Sequence, residues 1–168
     1  QAVDAAVARV QRRMVEHAPS SGGLALWVHH SDVDAPAGAA PIYTDGLCVF
    51  YLPAFERLPL AEQTGWVAHE VLHIALRHVP RHAELEQVLG TVDLALFNLC
   101  ADAIVNSALG HLRWLTLPRD AVTLELLLAR TLGLELSAQA ALLQWDVERL
   151  YRALDDRLGA PAARNARS

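Results

Sequence analysis

Two histidines and a glutamate, in the order His69-Glu70-Val71-Leu72-His73, are the residues of this chain with the clearest capacity for chemistry. On an α-helix, residues four positions apart lie on one face, one turn above each other, so both imidazoles can bind one metal ion. Glu70 points about 100° away from His69 on such a helix, which keeps it out of the ligand set. Zinc lowers the pKa of its bound water to about 7, and a neighbouring carboxylate can take the proton as the water attacks a carbonyl. The spacing therefore predicts His69 and His73 as zinc ligands and Glu70 as the general base.

A tetrahedral zinc ion that keeps one water needs a third protein ligand. The best candidate lies in the apolar segment 94–109, where Asn98, Asp102 and Asn106 recur at intervals of four residues. A helix that is apolar on nearly every other side is normally buried, and a buried carboxylate must be paired or bind a metal. We therefore predict Asp102 as the third ligand, with Asn98 and Asn106 orienting Asp102 or a ligand imidazole. The alternative is a polar stripe that faces solvent on a half-exposed helix.

The other histidines are weaker candidates for the third ligand. His78 follows His69 by nine residues, or about 900° of helix turn, which predicts that it lies on the opposite side of the same helix. No glycine precedes Pro80 to bend the chain back towards the metal, so we expect His78 to be a helix-end residue near the C-terminal dipole. No sequence feature positions His82 or His111.

The group that would stabilise the transition state is open. Arg77 follows His69 by eight residues and should lie on about the same helix face, so its guanidinium could point towards the reaction site. The alternative is a surface arginine that closes the helix C-terminus. Tyr43, Tyr51 and His111 are weaker candidates for the same role.

The elements that must position these residues indicate an α+β fold, with a small, mainly antiparallel sheet packed on the motif helix and on further helices. Asp45-Gly46 suits the positive φ angles of a tight turn and predicts a hairpin over residues 42–52. The motif helix should begin near Pro59 and end at Pro80. The other predicted elements are a helix over 4–17, a strand over 24–30, the helix 94–109, a short helix from Thr123 to Gly133 and a long helix over 137–158. We expect one domain over residues 1–158 and a disordered tail over 159–168.

Three segments together resemble a bacterial metallopeptidase domain of the HExxH type, usually found N-terminal to a von Willebrand factor A-like domain. They are the hairpin segment 45–51, the motif helix 67–78 and the segment 101–106, which reads Ala-Asp-Ala-Ile-Val-Asn. The resemblance covers residues 42–106 and extends more loosely to Asp156. It implies a zincin-like peptidase with His69 and His73 as zinc ligands, Glu70 as the base and Asp102 as the third ligand. It also implies a von Willebrand A-like domain and a MoxR-type AAA ATPase as partners.

Composition excludes several other classes of protein. The 168 residues are 53% hydrophobic, ample for one core, but no apolar run reaches the roughly 18 residues that a membrane span needs. The net charge is −5 and basic residues do not cluster, so neither nucleic acid nor a membrane is an expected partner. Cys48 and Cys100 fall in predicted core elements, which suggests two reduced thiols in a cytoplasmic protein.

Three functions are compatible with these features. The first is a zinc-dependent peptidase that cleaves a protein substrate. The second is a catalytically silent metal-binding module that serves a larger complex, and the third is a zinc hydrolase of a non-peptide amide. Glu70 favours a catalyst over a silent module, because a purely structural zinc site does not need an acid at that position.

Overall fold

The computed structural model describes Arg9 and residues 28–34, 40–112 and 115–158. The predicted helix 4–17 (apart from Arg9), residues 24–27 of the predicted strand and the tail 159–168 lie outside the described residues. The described part is α+β, with three strands, one 3-10 helix and six α-helices, which confirms the predicted fold class. Its residues group into two compact units, one formed by the chain up to Val79 with 109–119 and the other by Pro80–Ala108 with the chain from Asp120 onward. One domain over 1–158 stays a prediction.

The first unit contains a three-stranded mixed sheet. Its strands are β1 (His29–Asp32), β2 (Ile42–Thr44) and β3 (Cys48–Tyr51), in the order β1-β3-β2. β2 and β3 are antiparallel and form the predicted hairpin, with Gly46 at φ 97° in its turn. β1 runs parallel to β3, so the sheet is mixed rather than mainly antiparallel. A tight turn joins only antiparallel neighbours. β1 and β3 can be parallel because the chain forms β2 between them.

The helix that carries the histidine motif, α1 (Leu60–Ala75), packs against β2 and β3. A 3-10 helix, Pro53–Arg57, precedes it, and the Gln63 amide fastens the two together by donating to the Phe55 carbonyl oxygen at 2.9 Å. Val67 and Val71 supply the buried apolar face of α1. Gly65 lies so close to the Thr116 carbonyl oxygen that an added Cβ would be 2.7 Å from it. Only glycine allows α1 to approach the backbone of residue 116 this closely.

α1 ends earlier than the sequence predicts. Leu76 caps it, Arg77 adopts a left-handed conformation with φ 58°, and a new helix, α2 (His78–Leu89), begins at the next residue. The predicted single helix up to Pro80 is therefore wrong. Pro80 lies in the first turn of α2, where its missing N–H would have no helical partner in any case. It thus belongs to the start of one helix and not to the end of another.

The second unit is helical. Besides most of α2 it contains the main part of α3 (Leu94–Leu109), together with α4 (Leu124–Leu132), α5 (Ala138–Gln144) and α6 (Val147–Leu158). α4 begins after Thr123 and ends at Gly133 in the left-handed conformation, as predicted. The fully buried residues of this unit include Cys100, Val105, Leu124, Leu128, Val147 and Leu150.

The predicted long helix 137–158 is two helices. Ser137 caps α5 by accepting a hydrogen bond from the Ala140 N–H, and Trp145 after it is extended. Asp146 then accepts a hydrogen bond from the Arg149 N–H at 2.7 Å, so its carboxylate caps the first turn of α6. Aspartate is among the strongest residues for this position, which explains why the helix restarts here.

No helix of the described residues has the length and apolar character that crossing a membrane requires. Cys48 is half-buried and Cys100 is buried, and both are free thiols. Burial raises the pKa of the Cys100 thiol to about 12. Cys100 is therefore a neutral core residue at physiological pH.

Candidate metal centre

His69 and His73 present their ring nitrogens to each other from one face of α1. The two Nε2 atoms are 2.9 Å apart, and the rings are nearly perpendicular at 76°. Two imidazole nitrogens bound tetrahedrally to one zinc ion at 2.0–2.1 Å would be about 3.4 Å apart. The observed separation is close to that value, so a small opening of the pair would admit the ion. Helical spacing alone brings the two nitrogens together, as predicted.

Asp102 on α3 completes a set of three possible metal ligands. His69, His73 and Asp102 each offer one ligand atom, all lie within 4.8 Å of one another, and all three side chains are half-buried. Two imidazole nitrogens and one carboxylate oxygen suit a divalent transition metal. The chemistry of the donor set therefore fits a metal ion. Asp102 is less buried than the apolar character of its helix suggested.

Glu70 is buried, with 8% of its surface exposed, on the turn of α1 that carries His69. Burial raises the pKa of the nearby Tyr51 phenol, and the negative charges of Cys48 and Glu70 raise it further. Tyr51 is therefore a neutral hydroxyl, and its oxygen lies 2.6 Å from Nδ1 of His30.

His78 is the residue whose placement the sequence analysis missed. It is 3% exposed, and its Nδ1 lies 2.8 Å from Nδ1 of His73. The prediction of a helix-end residue on the far side of the motif helix is wrong, because α1 ends at Ala75 and the left-handed Arg77 separates it from a new helix that begins at His78. In the sequence, the one signal for this new helix was Pro80, because proline suits the first turn of a helix.

Three further predicted site residues, Asn98, Asn106 and Arg77, differ in how far they are buried. Asn106 is buried and its amide donates to the Val122 carbonyl oxygen at 2.9 Å, whereas Asn98 is exposed. Arg77 is exposed on the turn after α1. The roles of these three residues towards the metal stay predictions.

The other weak candidates are not in the group of possible ligands. His82 packs edge-on against Phe97 at 5.0 Å, and its buried Nε2 makes no hydrogen bond within the described part of the chain. His111 is exposed, and Tyr43 is 45% exposed and stacks on Phe50. The negative charge of Glu70 contributes to the raised pKa of Tyr51.

Comparison with known proteins identifies the class to which this site belongs. The chain belongs to the family described as "Putative metallopeptidase domain", whose model matches residues 3–168. No curated protein and no solved structure is significantly similar to it. The family and the His/His/Asp group together support a metal ion and a peptidase role.

The turn at Arg77 leads to a testable expectation for stability. A residue with a Cβ in the left-handed conformation costs about 1–2 kcal/mol, which glycine avoids at a smaller cost in chain entropy. Arg77→Gly should therefore raise the free energy of unfolding by roughly 1 kcal/mol, measured by urea denaturation of the metal-free protein. Arg77→Ala is the control, because it removes the guanidinium and keeps the strained backbone. The two variants both lack the guanidinium and differ only in the backbone, so a glycine variant no more stable than the alanine variant would show that the turn stores no strain for glycine to relieve.

Proposed function

We propose that this protein is a zinc-dependent peptidase that hydrolyses peptide bonds of a protein substrate. The observation that carries the proposal is the convergence of two imidazole nitrogens and one carboxylate, with a buried glutamate next to the first histidine. His69, His73 and Asp102 would hold the ion and leave a position for water, as catalytic zinc sites do. A zincin-like arrangement of the motif helix under the sheet is part of the same proposal.

The chain's own residues would then carry the protons. A zinc ion bound there would supply an acidified water and polarise the carbonyl of the substrate. Glu70 accepts the proton of the attacking water and passes it to the leaving amine. The neutral Tyr51 hydroxyl and the Arg77 guanidinium are the candidates for stabilising the oxyanion. The variant Arg77→Gly distinguishes a role of the guanidinium in the reaction from the role of the Arg77 backbone in the turn after α1. If that variant keeps its stability and loses hydrolysis, the guanidinium takes part in the reaction.

The substrate would bind in extended form along an edge of the sheet. β1 and β2 are the two edges of the sheet among the described strands. An edge strand offers free main-chain N–H and C=O groups with which an extended peptide can pair. Such pairing favours a protein or peptide over a small amide, which has no main chain to align. A von Willebrand A-like domain and a MoxR-type AAA ATPase remain proposed partners, and the two free thiols agree with a cytoplasmic location.

Metal analysis combined with a cleavage assay tests the proposal. Purified protein should contain about one zinc ion per chain, and a peptide library should be cleaved. Removal of the ion by a chelator should abolish cleavage, and added Zn²⁺ should restore it. Two histidines and one carboxylate also suit non-haem iron, so iron in place of zinc would contradict the proposal. Bound zinc without turnover on any peptide would favour the silent metal-binding module.

A further inference from the structure

His73 makes a second contact on the side of its ring away from His69. Its Nε2 lies 2.9 Å from His69, while its Nδ1 lies 2.8 Å from Nδ1 of His78. The rings of His73 and His78 are 5.1 Å apart and inclined at 65°. Each nitrogen of His73 thus has its own histidine neighbour, one on the metal side and one on the opposite side.

The protons of this pair follow from the chemistry of imidazole. A nitrogen that binds a metal must present its lone pair, so a neutral His73 that binds through Nε2 carries its proton on Nδ1. That Nδ1–H can donate only to an unprotonated nitrogen. The Nδ1 of His78 must then accept, and a neutral His78 carries its own proton on Nε2. The contact therefore determines the tautomers of both rings.

Two backbone features hold His78 in this position. The left-handed Arg77 breaks the helical path after α1, and the first residue of α2 is His78 itself. Pro80 fixes the backbone in the first turn of α2. His78 is also almost fully buried, at 3% exposure, so its ring has little freedom to leave the contact.

We propose that His78 is a positioning residue, which accepts a hydrogen bond from the Nδ1–H of His73 and so fixes the tautomer and ring orientation of this metal ligand. The inference rests on the proposed function, in which His73 binds zinc. Metal-binding histidines almost always donate their other N–H to a carboxylate, a carbonyl or water. Here an imidazole nitrogen takes that place. Groups of this kind typically contribute about 10- to 100-fold to metal affinity.

A matched pair of variants tests the role of His78. Asparagine and leucine have side chains of the same size and shape, but only asparagine offers an acceptor oxygen near the position of the histidine Nδ1. The dissociation constant for Zn²⁺ is measured by chelator competition, and the folding of each metal-free variant by circular dichroism and thermal unfolding. His78→Leu should weaken Zn²⁺ binding by about 10- to 100-fold. His78→Asn should stay within a few-fold of the wild type.

The outcomes separate this inference from the proposed function. Equal weakening in two folded variants would show that His78 only packs the turn, and wild-type affinity in His78→Leu would show that it contributes nothing. Either result overturns the positioning role and leaves the zinc site intact. A wild type that binds no Zn²⁺ overturns the proposed function, and this inference with it.

Nitrogen-15 NMR of zinc-loaded wild type tests the same hydrogen bond without any substitution. His78 should carry its proton on Nε2, with an unprotonated Nδ1 that shows the shift of a hydrogen-bond acceptor. A proton on Nδ1 of His78 would overturn the inference even if His78→Leu fails to fold.

Discussion

Glu70→Gln is expected to lower the rate of peptide hydrolysis by about 10²- to 10⁴-fold while the protein keeps its zinc and its fold. Glutamine has the size of glutamate and can still form hydrogen bonds, but it cannot accept the proton of the attacking water. Glu70 follows His69 directly and is buried at 8% exposure. The measurement is a comparison of kcat on a peptide that the wild type cleaves, together with zinc content by metal analysis.

The matched control for this variant is Glu62→Gln. Glu62 lies on the same helix, in its first turn, and is exposed. The same loss of one negative charge at that position should leave kcat unchanged. A Glu70→Gln protein that hydrolyses peptides at the wild-type rate would show that another group accepts the proton. If it lost zinc as well, the carboxylate would have a part in binding the metal.

Asp102→Ala should weaken zinc binding by more than about 100-fold, because removal of a direct ligand should cost more than the 10- to 100-fold typical of an orienting group. The two histidines that remain form an incomplete set for a catalytic zinc ion, which has three protein ligands. Zinc affinity by chelator competition is the measurement. Peptide hydrolysis should fall in parallel at limiting zinc.

Asn98→Ala on the same helix is the control for Asp102→Ala. Asn98 lies one turn before Asp102 and is exposed, so even as a residue that orients Asp102 its removal should cost no more than about 10- to 100-fold in zinc affinity, less than the loss of Asp102 itself. If Asp102→Ala kept full zinc, the third-ligand assignment would be wrong and His82 or His111 would become the next candidate. If Asn98→Ala and Asp102→Ala lowered the affinity equally, a general disturbance of α3 would explain both.

Local spacing in the sequence was enough to predict the centre of the site. His69 and His73 are one helical turn apart, so any regular helix over this segment brings their nitrogens together, whatever surrounds it. The hairpin turn at Gly46 and the helix end at Gly133 were equally predictable, since both need a left-handed residue and glycine adopts that conformation without strain. The same reasoning explains why α4 was placed correctly.

The placement of His78 depends on a backbone conformation that the sequence does not indicate. Arginine seldom adopts a positive φ, so a sequence argument extends the helix through Arg77 and sends His78 to the far side. The break between α5 and α6 is a milder case, because Asp146 is a strong cap but helical periodicity continues across it. At Arg77 the backbone departs from the local helical preference, whereas at Asp146 a local cap divides the helical segment in two.

The sequence by itself determined the chemistry of the candidate site: two imidazoles on one helical face, a glutamate beside them and an acidic residue in an apolar helix. The tertiary structure decided which further residues come near that chemistry. It put His78 next to His73 and gave β1 a parallel partner. The physical reason is the distance along the sequence over which each effect acts. Helical spacing acts over one turn, whereas the pairing of β1 with β3 joins segments that only folding brings together. The contact of His78 with His73 depends on the left-handed residue Arg77.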